Sequence, residues 1–251
     1  MAATFNYDKY GQQYSGQRRT EPGIAKYIDH ALGDASKIIN VGAGAGSYEP
    51  DDRYVIAVEP SIAMRRQRII NQKVPAINAT ADALPFDDGV FDAATMFLTI
   101  HHWPDLARGL KEIRRITRGQ IVIMTYDPSA LEIFWNAEYF PEVIEVERQR
   151  YPSIKRVCDL LGDNCEIKEV PIPLNCVDGF QEAFYGRPEA FLSKEVRAAM
   201  SAWGFIPEEQ QDIMVGRLKK ALSSGEWDKK YGNLRNQPFF TGALRLIVAK
   251  P

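Results

Sequence analysis

The sequence predicts an α/β fold built on a doubly wound, mostly parallel sheet, and three observations carry that reading. An apolar β-type run (Ile38, Ile39, Val41) enters the glycine turn Gly42-Ala43-Gly44-Ala45-Gly46, and a second run from Tyr54 to Val58 ends on Glu59. Up to residue 126, β-type runs alternate with amphipathic helical segments, the pattern of strands joined by crossover helices. The chain then closes on an apolar run, Ala243 to Ala249, suited to a final strand.

Composition bounds the function classes. A chain of 251 residues is long enough for one large domain with a sizeable core. The net charge of −2 argues against a nucleic-acid partner, and the basic clusters (Arg65, Arg66, Arg68; Arg114, Arg115, Arg118) read as solvated helix faces. No run approaches the ~18 apolar residues of a membrane helix, and MAATFNYDKY lacks an apolar signal core, so a soluble cytoplasmic protein is expected. Cys158, Cys165 and Cys176 match no zinc spacing and read as reduced, mostly buried thiols, with no metal expected.

The elements follow in order. Tyr7, Tyr10 and Tyr14 stand three and four residues apart, followed by Arg18 and Arg19. Glu21-Pro22 opens a helix with Ile24, Tyr27, Ile28 and Leu32 on its apolar face, and Gly33 ends it. Pro60-Ser61 starts a helix from Ile62 to Asn71, and Val74 to Ala79 reads as a third strand. Asp87-Asp88-Gly89 turns into a fourth strand, Val90 to Leu98, where the early Asp92 is structural. His101-His102-Trp103 follow that strand; a helix carries Leu106, Leu110, Ile113 and Ile116, and Gln120 to Thr125 makes a fifth strand. Residues 127–242 read as a helical lid or substrate region with a sixth strand from Glu166 to Pro173. The aromatic residues Phe134, Trp135, Tyr139, Phe180, Phe184 and Tyr185 are the expected acceptor contacts. The division is therefore one domain: arm and first helix 1–33, cofactor core 34–126, lid 127–242, last strand 243–251.

Ligands of such sheets bind beyond the carboxyl ends of the strands. Glycines let the backbone come close to a ligand, and an acid at the tip of the second strand can accept both ribose hydroxyls of an adenosine-bearing cofactor. A dinucleotide is disfavoured: the third glycine of G-x-G-x-x-G is replaced by Ser47, and the short segment Ser47 to Arg53 leaves at most a turn of helix to receive a pyrophosphate.

The segments INVGAGAGSYE, VIAVEPS, ATADALPFDDGVFDAA and FLTIHHWPDLARGLKEIRRITRGQIVIMTY, in this order, resemble the successive motifs of class I S-adenosylmethionine-dependent methyltransferases of the small-molecule type 11 group. The resemblance implies a Rossmann-like seven-stranded sheet with its last strand antiparallel, S-adenosyl-L-methionine as cofactor and a small-molecule methyl acceptor. It also implies cofactor contacts from Gly42, Ala43 and Gly44, ribose binding by Glu59 with Pro60 beside it, and adenine packing by Met64. Asp82 and Ala83 would face the adenine amino group, Leu98 would floor the sulfonium site, and Tyr14 and Arg18 would belong to an arm closing over the cofactor. Relatives carry an acid where this chain has Asn40, so that contact is expected to be neutral or absent. A non-catalytic module that binds the cofactor or its product is the alternative, because methyl transfer needs little beyond alignment of donor and nucleophile. If the acceptor must lose a proton, His101 and His102 are the candidate bases, since histidine titrates near neutrality.

Overall fold

The structure, a computed structural model, describes residue 8 and residues 14–162 and 164–251. Tyr7 and Tyr10 lie outside the described residues, and Tyr14 is described in its backbone alone.

Seven strands form one sheet: β1 (Lys37–Val41), β2 (Tyr54–Val58), β3 (Ala76–Ile77), β4 (Ala93–Phe97), β5 (Ile121–Tyr126), β6 (Cys165–Glu169) and β9 (Leu244–Ala249). Their order is β3-β2-β1-β4-β5-β9-β6, and β9 runs antiparallel to both of its neighbours. A separate two-stranded ribbon pairs β7 (Ile172–Pro173) with β8 (Phe239–Phe240). The expected sixth strand is thereby split: β6 stops at Glu169, and Ile172 and Pro173 belong to the ribbon.

Side chains alternate across the sheet with period two. Val122 and Met124 of β5 enter one core with Leu246 and Val248 of β9, while Ile121 and Ile123 enter the other with Ile247 and Ala249. The first core is covered by α2 (Pro22–Leu32), following the single turn α1 (Tyr14–Gln17), and by the aromatic material of the lid. Ile24, Ile28 and Leu32 of α2 are buried, whereas Tyr27, expected on the same face, is exposed. The second core is covered by α4 (Leu106–Ile116), which buries Leu110, Ile113 and Ile116; α3 (Ile62–Ile70) flanks β2 in sequence.

The lid holds α5 (Asn136–Tyr139), α6 (Pro141–Arg150), α7 (Ile154–Leu161), α8 (Lys194–Ala198), α9 (Glu208–Ser224) and α10 (Glu226–Tyr231) with several 3-10 turns. Most of its aromatic side chains form core. Trp135 stacks edge-on against Phe191 and Trp227, and its Nε1 donates to the Tyr185 carbonyl at 2.8 Å. Phe134, Trp135, Tyr139, Phe184 and Tyr185, expected as acceptor contacts, are packed into the core, and Phe180 borders a cavity. Asp92 is structural as expected, accepting from the Ser36 and Lys37 amides and pairing with Arg118; these hydrogen bonds hold its carboxyl far below the usual range. Among the described residues, no helix is long and apolar enough to cross a membrane.

Candidate active site

The carboxyl ends of β1 to β4 meet around a cavity of about 510 Å3, within the range of small-molecule sites. Between β1 and β2 the chain forms turns only, so the expected single turn of helix is absent. Gly42, Gly44 and Gly46 all take left-handed φ values (71°, 50° and 97°), which glycine adopts without strain. At Gly42 space is decisive as well: a Cβ would lie 2.0 Å from Thr99 Oγ1. The Gly42 and Ala43 amides donate to the Val58 carbonyl at 2.9 and 3.0 Å, tying the loop to the end of β2. Gly42→Ala is therefore expected to displace the loop, destabilise the fold by about 2 kcal/mol or more, and abolish detectable binding of S-adenosylhomocysteine by calorimetry.

Glu59 joins the two halves of this grip. Its Oε2 accepts from the Gly44 amide and its Oε1 from the Ser61 amide, both at 2.8 Å. Glu59 lines the cavity, and each oxygen can accept one further hydrogen bond, enough for two hydroxyl donors. Burial raises the carboxyl's pKa, opposed by the two amide bonds and by Arg68 and Arg65.

Asn40 offers a neutral acceptor, one of the two outcomes that the sequence leaves open. Its Nδ2 donates to Glu49 Oε1 at 2.9 Å, and Glu49 grips Arg68 through both oxygens at 2.9 Å. Asn40 Oδ1 is buried in the cavity wall with no protein partner, so a neutral acceptor is present and aimed by Glu49. Arg68, read from sequence as part of a solvated face, is wholly buried. The displaced acid sits at position 49, where Arg68 compensates its charge. Asn40→Asp is expected to weaken binding of S-adenosylhomocysteine about tenfold by titration calorimetry, because it sets two carboxylates within hydrogen-bond distance.

Pro60, Ser61 and Met64 line the wall at the start of α3, where Asp8 accepts from Ser61 Oγ at 2.7 Å and the Ala63 amide at 3.0 Å. Met64, Ala79 and Ala81 are apolar parts of the lining. Asp82 is there too, its pKa lowered chiefly by a hydrogen bond from Thr80. Ala83 lies off the cavity beside a separate surface hollow, and its amide donates to the Thr80 carbonyl at 3.2 Å.

Leu98 closes β4 in a left-handed conformation (φ 49°), a strain of order 1–3 kcal/mol that clusters at functional sites. It lines the cavity, and its amide donates to the Met124 carbonyl at 2.7 Å. The 3-10 turn Ile100–His102 follows. His102 reaches the cavity and shares a 3.1 Å hydrogen bond with Arg150, whereas His101 lies behind it, stacked between His102 and Tyr151 at 3.9 and 4.0 Å. Burial and then Arg150 depress His102 to about 3, and burial and then His102 depress His101 in the same direction. Both rings are neutral at pH 7 and poor proton acceptors.

Sequence reasoning missed the fastening of Arg18. Its Nε donates to Asp178 Oδ1 at 2.6 Å, and Tyr48 Oη donates to Asp178 Oδ2 at 2.8 Å. Asp178 is fully buried, so this ion pair clamps the N-terminal segment against the lid beside the cavity. These residues are 130 and 160 positions from their partner, and nothing in local periodicity could have paired them.

Comparison with known proteins agrees with this geometry. A family model described as a methyltransferase domain matches residues 39–124. A crystal structure from Anabaena variabilis, named as a methyltransferase from an antibiotic biosynthesis pathway, is 30% identical, covers 93% of this chain and 98% of its own, and superposes with a TM-score of 0.86. Among curated proteins, the demethylmenaquinone methyltransferase of Mycolicibacterium gilvum is 29% identical over 109 residues, 41% of this chain and 47% of the relative; the chain thus spans about half the length of the curated relatives it matches. An S-adenosylmethionine-dependent methyltransferase structure from Thermotoga maritima, 18% identical and covering 97% of each chain with a TM-score of 0.58, shares the fold. The unpartnered Asn40 oxygen, the doubly anchored Glu59 and the apolar wall at Met64 suit an amino group, a ribose and an adenine ring, respectively. The chain belongs to the class I S-adenosylmethionine-dependent methyltransferases, and its cofactor is S-adenosylmethionine.

Proposed function

We propose that the protein methylates a small-molecule acceptor, a natural-product or cofactor-pathway intermediate, in the cytoplasm. The observation that carries the reading is the convergence of Glu59, the Asn40 oxygen and strained Leu98 on one cavity. When bound, S-adenosylmethionine supplies a methyl group on a sulfonium, already an activated electrophile. Asn40 Oδ1 accepts from the amino group, Glu59 accepts the ribose hydroxyls, and Asp82 accepts from the adenine amine; Met64 and Leu98 exclude water from the apolar parts. Tyr14 belongs to the same closing arm as Arg18. These residues contribute chiefly by holding donor and acceptor in line. The names of relatives from antibiotic and menaquinone pathways support a small-molecule acceptor, and three free cysteines suit a reducing compartment.

The test is transfer of labelled methyl groups into a protein-free small-molecule extract. The reading predicts protein-dependent label in a small organic product. Binding of S-adenosylhomocysteine without any transfer would favour the non-catalytic alternative, and label on protein or nucleic acid would contradict the acceptor class.

A further inference from the structure

Behind Arg18 and Leu98, which also wall the cofactor cavity, lies a second chamber of about 30 Å3. Its walls come from four distant parts of the chain: His101 after β4, Tyr126 at the end of β5, Glu147 on α6, and Gln181 in a lid turn. Each carries a buried polar atom without a hydrogen-bond partner: His101 Nδ1, Tyr126 Oη, Glu147 Oε2 and Gln181 Oε1. An unsatisfied buried group costs roughly 1–3 kcal/mol, and folded proteins retain few of them. Four around one small space point to a missing polar partner.

The chemistry of the four atoms selects that partner. Glu147 Oε2 and Gln181 Oε1 accept only, while the Tyr126 hydroxyl can donate or accept. A chamber of this volume holds one or two water-sized groups. The complement is a single small donor such as a hydroxyl. A protonated amine is disfavoured, because Arg18 forms part of the wall and Arg150 Nη1 lies 3.8 Å from Glu147 Oε2. The same two cations favour an oxyanion. Tyr151 and Phe180 add aromatic surface to the lining, matching a planar ring or conjugated system behind the hydroxyl.

We propose that this chamber is the polar subsite of the methyl acceptor, taking the hydroxyl of a phenol or enol, with Glu147 as the catalytic residue that receives its proton. The proposal rests on the methyl-transfer reading and deepens it. The O–H bond breaks with its proton passing to Glu147 Oε2 and its electron pair remaining on the acceptor. That pair, at oxygen or at the conjugated carbon, forms the new bond to the methyl carbon as the carbon–sulfur bond breaks and its electrons return to sulfur. After attack through carbon, that carbon's C–H bond breaks and its proton passes to the oxygen, restoring the hydroxyl and the conjugation. The proton on Glu147 then passes to solvent. Burial lifts the Glu147 carboxyl to about 7, against the pull of Arg150, which suits a proton acceptor near neutrality better than the depressed histidines.

The test uses saturation-transfer NMR on the full chain loaded with S-adenosylhomocysteine, comparing phenol with anisole, whose oxygen cannot donate. Phenol is expected to bind at least fivefold more tightly than anisole, and Glu147→Met, which keeps the volume, is expected to reduce that preference below twofold. Glu147→Gln is expected to retain phenol binding yet lose the rise of phenol methylation rate with pH. Equal binding of phenol and anisole, or a phenol preference that survives Glu147→Met, would overturn the proposal. If S-adenosylhomocysteine itself failed to bind, the methyl-transfer reading would fall instead, and the two failures are distinguishable.

Discussion

Glu59→Ala is expected to weaken S-adenosylhomocysteine binding at least 100-fold while the protein remains folded. Hydrogen bonds to a charged group contribute about 1.5–3 kcal/mol each, and two ribose hydroxyls lost together amount to two orders of magnitude or more at 1.4 kcal/mol per tenfold. The Gly44 amide also loses its fastening, so the glycine loop loosens at the same time. Titration calorimetry measures the affinity, and circular dichroism checks the fold. Unchanged affinity would remove Glu59 from the ribose site. The pH dependence carries the same sign: only the ionised carboxylate accepts both hydroxyls, and burial raises its pKa. Affinity should therefore hold at neutral pH and fall on acidification, starting at a higher pH than for an ordinary glutamate.

Asp178→Ala is expected to lower both stability and affinity. It leaves Arg18, only 11% exposed, without its carboxylate and Tyr48 without its acceptor. Removing one partner of a buried ion pair costs about 3–5 kcal/mol, which for a chain of this size lowers the melting temperature by roughly 6 to 20 °C. Arg18 walls both cavities, so loosening it should also weaken S-adenosylhomocysteine binding. The double variant Arg18→Met with Asp178→Asn separates the two effects, because it leaves no unpaired carboxylate buried while still removing the guanidinium from the wall. A melting temperature unchanged in Asp178→Ala would show that the clamp contributes nothing to stability, and an unchanged S-adenosylhomocysteine affinity that it contributes nothing to the site.

The parts legible in sequence were those whose chemistry is local. The glycine loop, Glu59 and Asp82 are placed by contiguous strand-to-loop signals, and β9 by an apolar run broken at Arg245 alone, so their positions follow from short windows. Arg68 was misread because helical spacing shows which residues share a face but not that Glu49 waits across it. At Asn40 the sequence leaves open whether the contact is neutral or absent, because the answer depends on a carboxylate nine positions away that holds the side-chain amide. Asp178, Glu147 and Gln181 stand in lid segments that carry no strong periodic pattern, and only the folded chain brings Glu147 and Gln181 to a cavity wall and Asp178 to Arg18. The aromatic lid residues illustrate the opposite error, since large rings were taken for ligand contacts where burial against one another suffices.

The most direct test of the central claim is a thermal-shift titration with S-adenosylhomocysteine, with NADH as the control. A ligand at a hundred times its dissociation constant adds about 2.7 kcal/mol, or roughly 5 to 10 °C for a chain of this size. A shift of that size with S-adenosylhomocysteine and none with NADH is the predicted result. A shift with NADH alone, or with neither ligand, would contradict the assignment of this cavity to S-adenosylmethionine.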